Sequence, residues 1–148
     1  LQGTADDTFA YVGAQMRKGP AGSVSLGDNG WLDEDGFLHV IGRRTDLILR
    51  GGENVYPAEI EEVLSECEGV AACVVIGLPH EDLGERVHAI IEMLDPAHPP
   101  PEDDLRGHIA ARLERHKCPA SYEFVSQPLR DAAGKVRRST LRDERIGG

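Results

Sequence analysis

Residues 42–59 read GRRTDLILRGGENVYPAE, and the fold of the chain turns on this stretch. Gly42 ends an apolar alternation and an arginine pair follows. Asp46-Leu47-Ile48-Leu49-Arg50 predicts a second short strand. Gly51-Gly52 then forces a turn in which backbone can approach another group closely, because neither residue carries a side chain. Pro57 suits the first position of a helix, and Glu59, Glu61 and Glu62 load its opening turns with the negative charge that the helix dipole favours. The order is strand, arginine pair, strand, glycine turn, helix.

Downstream, Ile60, Val63 and Leu64 carry the helical spacing over residues 57–67. Val70 to Leu78 is a continuous apolar run rich in β-branched residues, which predicts a buried strand. A loop is expected over 79–85, a further strand over Arg86 to Leu94, and a stiff linker at DPAHPPP, residues 95–101. Leu105, Ile109, Ala110 and Leu113 make the apolar stripe of a helix expected from Glu102 to His116. Tyr122 to Val125 reads as a closing strand, followed by a polar, basic loop over 128–138 and a short terminal helix that Ser139 or Thr140 would cap.

Upstream, Asp35-Gly36 is a two-residue turn signal between strands at Trp31-Leu32 and Phe37 to Ile41. Phe9 to Val12 reads as a short strand, and Met16 to Ala21 as an exposed loop. The fold class is α+β: a short hairpin, then a sheet of roughly three strands flanked by helices.

The chain has 148 residues and a formal net charge of −10. That charge disfavours a general binder of nucleic acid or anionic membrane, both of which need a positive field. No apolar run reaches the roughly 20 residues that span a bilayer. Cys67, Cys73 and Cys118 lack metal spacing and read as reduced, packing thiols of a cytoplasmic protein. His108 and His116 lie eight apart with no third ligand at a sensible spacing, so surface or capping roles are expected and no metal site is assigned.

The stretch also resembles the hinge and the start of the small C-terminal domain in AMP-forming acyl-CoA synthetases, the adenylate-forming superfamily. That pattern runs G-R-x-x-D-x-I-x-x-G-G-x-N-V-Y-P-x-E-I-E, and each fixed letter has its match from Gly42 through Glu61. Two more segments are similar: residues 27–37, against G-D-x-G-x-x-D-x-D-G-x-L, and residues 128–141, against L-P-R-T-x-x-G-K-V-x-R-x-x-L.

The resemblance implies the following roles. Asp28 binds the ribose hydroxyls of ATP, a task suited to a carboxylate that accepts two hydrogen bonds. Arg43 reaches ribose and phosphate with its fork of donors. Thr45 stands at the hinge, where the pattern usually has Asp or Lys, and its β-branch makes it a stiffer residue than either, so Arg44 or Asp46 could share the motion. Gly51, Gly52, Glu53, Leu83 and Gly84 line the channel for the CoA thiol.

Lys135 is the adenylation lysine, a mobile cation that draws carboxylate and ATP phosphate together. Asp131, at a position usually neutral, is expected to damp the local positive field. Arg137, Arg138 and Arg142 are expected to be solvated rather than to meet CoA phosphates.

By the same resemblance, residues 1–44 are the tail of a large N-terminal domain and residues 45–148 the mobile lid. The chain is then a fragment, inactive alone, whose partners are its own N-terminal domain, a carboxylic acid, ATP with Mg2+ held mainly by that missing domain, and CoA. Residues 1–27 are expected to be partly ordered, disordered or swapped onto a neighbouring molecule. Two rivals stand beside this reading: a peptide-synthetase adenylation domain that loads a carrier protein, and a free-standing, non-catalytic α+β binding module. Leu26-Gly27-Asp28 is similar to ligases for bulky acids of the bile or steroid type.

Overall fold

The chain divides into two units, Leu1–Thr45 and Asp46–Gly148. The computed structural model describes residues 3–4, 17–18, 23–25, 28–32, 34–43 and 46–148. In the first unit, β1 (Gly3–Thr4), β2 (Arg17–Lys18) and β3 (Ser23–Ser25) form a small antiparallel sheet in the order β1-β3-β2. Arg17 and Lys18 are thus strand rather than the loop expected there. The strand expected at 9–12 lies outside the described residues. Strands β4 (Asp28–Leu32) and β5 (Leu38–Arg43) make the expected hairpin, and Gly36 takes φ +84 in its turn.

In the second unit, β6 (Ile48–Arg50) and β7 (Glu53–Val55) flank the glycine turn, and α1 (Pro57–Ser65) starts at Pro57. Strands β8 (Val70–His80) and β9 (Gly84–Met93) form a long antiparallel pair. After α2 (Glu102–Ala110), a 3-10 turn at Arg115–Lys117 leads to β10 (Ser121–Val125), which pairs parallel with β9. Helix α3 (Arg138–Ile146) closes the chain. The sheet has five strands. Its centre is β9, with β8 along one edge and both β10 and the end of β6 along the other.

The apolar run of β8 is buried on both faces, as an unalternating strand should be. Val75, with Val87, Ala89 and Ile91 of β9, packs under Ile60 and Leu64 of α1 and Leu105 and Ile109 of α2. Val74, Ile76, Leu78 and Ile90 form a second cluster with Leu129, against which Val136 and Leu141 pack. The expected loop at 79–85 shrinks to Glu81–Leu83, because β8 continues through Pro79. Proline is harmless there, since an edge strand asks for no amide on its open side.

Helix α2 stops at Ala110, short of the expected His116. Glu114 is extended, at φ −64 and ψ 151, and the 3-10 turn lays Lys117 Nζ 2.9 Å from Glu59 Oε1. Arg50 Nη1 donates to the His116 carbonyl at 2.9 Å. These long-range bonds override the helical periodicity of 111–116.

The outer edge of β8 is closed by side chains instead of another strand. Val75 N donates to Glu61 Oε1 at 2.8 Å, Arg138 Nη1 donates to Val75 O at 2.8 Å, and Arg142 Nε donates to Gly77 O at 2.8 Å. Arg138 also pairs with Glu61 and lies 3.2 Å from Asp46 Oδ2, while Arg142 pairs with Glu85 at 2.9 Å. The expected solvation of Arg138 and Arg142 is therefore corrected: they mask an open edge, where unpaired carbonyls would otherwise recruit a foreign strand. Burial alone would lower the Arg138 guanidinium, but Glu61 and Asp46 more than offset it and hold it above its ordinary value. The cap position of α3 is Arg137, and no side chain caps it, so the expected role of Ser139 or Thr140 is corrected too.

At the other end of α3, Arg145 forks onto Glu123 through Nε at 2.6 Å and Nη2 at 2.7 Å. Glu123 also meets His88 Nε2 at 3.3 Å, and His88 Nδ1 meets Ser121 Oγ at 2.8 Å. A neutral imidazole satisfies both, donating to the carboxylate and accepting from the hydroxyl.

Two outcomes are expected. Arg138→Ala leaves the Glu61 carboxylate without its counter-charge and Val75 O without a donor, and costs on the order of 3 kcal/mol, the scale for breaking a buried pair; denaturant unfolding checks it, and a loss near zero would refute the edge-closing role. Burial, helped by Arg145 and Arg86, holds His88 below its ordinary value against the opposing pull of Glu123. The unfolded chain then takes up a proton near pH 6.5 that the folded chain resists. Stability present at neutral pH is therefore lost as pH falls below about 6.5. His88→Gln should flatten the fall in Tm between about pH 7 and 5, and an unchanged slope would count against it.

Candidate active site

The glycine turn brings together all five residues assigned to the thiol channel. Gly51 and Gly52 adopt φ +58 and +82, a region open to glycine at little cost. Gly51 N donates to Leu83 O at 2.8 Å, and Arg50 stands in register with Gly84. Leu83 Cδ2 would lie 3.5 Å from a Cβ on Gly51. Glu53, next in the turn, pairs with His116 Nε2 at 2.9 Å. Gly51, Gly52, Glu53 and Gly84 are exposed, and Leu83 is half-buried.

Two residues of this corner were missed in the sequence. Leu49 is 54% exposed beside the turn, an apolar group left facing solvent. Glu85 ties the corner to its surroundings: Oε2 accepts from Leu49 N at 2.8 Å, and Oε1 accepts from Arg142 Nη2 at 2.9 Å. Gly77 makes room for it, because a Cβ there would stand 3.0 Å from the Glu85 carboxyl carbon. The adjacent pair Gly84-Glu85 was the available signal: the glycine drew the channel assignment and the carboxylate was passed over.

Lys135 lies elsewhere on the domain. Its loop is anchored by Leu129, buried in the second core cluster, whose N donates to Glu92 Oε2 at 3.0 Å. Eight residues of extended β9 separate Glu92 from Gly84, about 26 Å at the usual rise. Lys135 is exposed, and among the described residues its ammonium takes part in no hydrogen bond or ion pair. Its backbone is held by Asp131, whose Oδ1 accepts from Lys135 N at 3.0 Å. Asp131 was expected to weaken the positive field. Its carboxylate is engaged instead by Ala133 N at 3.0 Å and by Arg137 Nε at 3.3 Å as well.

Asp28 and Arg43 occupy partner positions of β4 and β5 in the first unit. Thr45 lies outside the described residues. Cys73 donates to Glu61 O at 3.3 Å, and burial pushes its thiol up to about 12. Burial also raises Cys67. Neither is poised as a thiolate nucleophile. Among the described residues no three His, Cys, Asp or Glu side chains converge as a metal site. No described helix is long and apolar enough to cross a membrane. A cleft of about 480 Å³ beside the proline-rich linker is lined by Glu66, Glu68, Asp95 and Asp104 together with His98 and His108, which pair with Asp95 and Glu66.

Gly77→Ala should push the Glu85 carboxylate off Leu49 N and Arg142 at a cost of about 1–3 kcal/mol, the range for crowding a packed site. Hydrogen exchange reads it directly: the Leu49 amide should lose protection while amides of β10 keep theirs. Retained protection at Leu49 would contradict the bridging role of Glu85.

Comparison with known proteins agrees with this architecture. A fatty acid–[acyl-carrier-protein] ligase of Streptomyces coeruleorubidus is 45% identical over 122 residues, covering 82% of this chain and 23% of that protein. A 2-succinylbenzoate–CoA ligase of Geobacillus kaustophilus is 45% identical over 116 residues, 78% of this chain and 24% of that protein. The o-succinylbenzoate CoA synthetase of Bacillus subtilis, solved with its acyl-adenylate intermediate, superposes with TM-score 0.76 at 37% identity, over 83% of this chain and 25% of that one. The chain thus spans about a quarter of the length of these relatives. The family described as the AMP-binding enzyme C-terminal domain matches residues 59–135, just over half of the chain. The chain belongs to that family.

Proposed function

We propose that residues 45–148 act as the moving lid of an AMP-forming acid–thiol ligase. In the first half-reaction a carboxylate oxygen attacks the α-phosphorus of ATP. An acyl phosphate bond forms, and the bond to pyrophosphate breaks. In the second, the thiol of CoA attacks the acyl carbonyl, a thioester forms, and AMP leaves with the electron pair. What supports this reading is that the loop carrying Lys135 is anchored, through Leu129, at Glu92 of β9, while the glycine turn lies beside Gly84 at the start of that strand.

An ammonium without a partner among the described residues suits the first half-reaction. Two anions must meet while charge builds on phosphoryl oxygens, and a point cation on a flexible stem stabilises that build-up without locking it. The glycine turn suits the second. Side chains absent at Gly51 and Gly52 let a thiol-bearing arm run along the backbone, with Leu49 and Leu83 as apolar wall. Anchor points about 26 Å apart suit the two patches to separate poses. Rotation about the segment holding Thr45 exchanges them, and burial of the intervening sheet makes the lid turn as one body.

Asp28 would accept from the ribose hydroxyls and Arg43 would meet ribose and phosphate. Magnesium would arrive with ATP, and the role of Lys135 does not pass through it. A cytoplasmic setting suits free ATP, CoA and reduced thiols.

Two relatives of equal identity are named for different acids and different thiol acceptors. The name of the Streptomyces relative favours a second reading, in which the acceptor is a carrier-protein thiol. Assay of the intact enzyme with CoA and with a pantetheinylated carrier separates the two, and a panel of acids that includes bulky ring acids identifies the substrate. Lys135→Ala in that enzyme should slow acyl-AMP formation by roughly 10²–10³, the scale for one lost charge-stabilising donor. Thioester formation from supplied acyl-AMP should be unchanged. Equal losses in both half-reactions would defeat the assignment.

A further inference from the structure

The loop that carries Lys135 has a sequence poorly suited to holding a shape. Asp131-Ala132-Ala133-Gly134 offers two small side chains and a glycine at φ +76. Core packing reaches it only from outside, at Leu129 and Val136. The order inside comes from one residue. Asp131 N donates to Lys135 O at 2.9 Å, and Asp131 Oδ1 accepts from Lys135 N at 3.0 Å. Both backbone polar groups of the lysine are thus tied to the same aspartate. Asp131 O takes Gly134 N at 2.8 Å, Oδ1 also takes Ala133 N at 3.0 Å, and Oδ2 takes Arg137 Nε at 3.3 Å. Arg130 Nη1 adds a bond to Gly134 O at 2.9 Å.

From this we infer that Asp131 is a positioning residue for the adenylation step: it fixes the backbone of Lys135 and thereby the cone its ammonium can sweep. The inference rests on the reading of Lys135 given above. The same carboxylate engages Arg137, which keeps a second, forked cation from competing for the phosphates. Three donors engage the carboxylate, two amides at Oδ1 and a guanidinium at Oδ2, and the lysine ammonium is not among them. The backbone amide of Lys135, foremost, holds the Asp131 carboxyl below its ordinary range, which keeps it an acceptor at neutral pH. The physical logic is pre-organisation: a group displaced by an ångström can lose about 10² in rate, and a small-residue loop left to itself samples displacements of that size.

The test uses the intact enzyme and four variants: Asp131→Ala, Asp131→Asn, Lys135→Ala, and the Asp131→Ala/Lys135→Ala double. Asp131→Ala should slow pyrophosphate release in the first half-reaction by roughly 10-fold or more. KM for ATP, the thioester half-reaction and Tm should stay as in the parent. Asp131→Asn keeps the Oδ1 acceptor and should recover most of the rate. The double variant should be no slower than Lys135→Ala, because an aspartate that acts through the lysine has nothing left to position.

A normal Asp131→Ala rate beside a crippled Lys135→Ala overturns the inference alone. So do additive losses in the double variant, an Asn variant as slow as Ala, or a matched loss of both half-reactions with a fall in Tm. A silent Lys135→Ala overturns the reading of the lysine, and the role of Asp131 with it.

Discussion

Glu61 and Arg138, 77 residues apart in sequence, meet at the open edge of β8, and the second unit depends on that meeting. An eleven-residue strand with an unpaired edge is a template for foreign strands. The pair closes it by splitting the work: the carboxylate takes the Val75 amide and the guanidinium takes the Val75 carbonyl. Each charge also satisfies the other, which offsets the cost of removing both from water. Because Glu61 sits on α1 and Arg138 opens α3, the contact sets where two helices lie against the sheet. Asp46, first residue of the unit, is drawn in by the same guanidinium.

From that contact α3 repeats the device. Arg142 reaches the next outward carbonyl, Gly77 O, and Arg145 crosses to Glu123 on β10. Hydrocarbon contributes only Leu141 from this helix to the core. The helix is held by charge and its own carbonyl partners, which is why its mean composition is so polar while its position is defined. Glu85 extends the same chain of contacts to Leu49 N, so the glycine turn and the terminal helix share one carboxylate.

What was legible in the sequence follows from the range of the forces. The β-branched run at 70–78, Pro57 at a helix start and Gly51-Gly52 at a turn are local statements, fixed by each residue's own backbone preferences, and the structure has them where expected. The end of α2 was not legible. Residues 111–116 keep a helical pattern, and Glu59, Arg50 and Glu53, far off in sequence, hold the chain in a 3-10 turn. The arginines of α3 failed for the same reason: a cation in a polar segment looks solvated until its acceptors arrive from 57 to 77 residues away. Motif matching carried the candidate site further than periodicity did, since it gathered Gly51, Leu83 and Gly84 before any pairing was known. It passed over Leu49 and Glu85, whose importance lies in what they touch.

In the lid proposed above, the sheet between the glycine turn and the lysine loop must not flex. Val87, Ala89, Ile90 and Ile91 are all fully buried, and from His88 to Ile91 β9 is paired along both edges, by Cys73–Ile76 on one side and by Ser121–Phe124 on the other. A central strand of this kind opens only with the whole unit. The glycine turn beside Gly84 is tied down by the Glu85 carboxylate at Leu49 N, and the Asp131–Lys135 loop, anchored through Leu129 at Glu92, by the Asp131 carboxylate. The arrangement concentrates adjustable backbone where chemistry would occur and withholds it from the strand that sets the distance between the two.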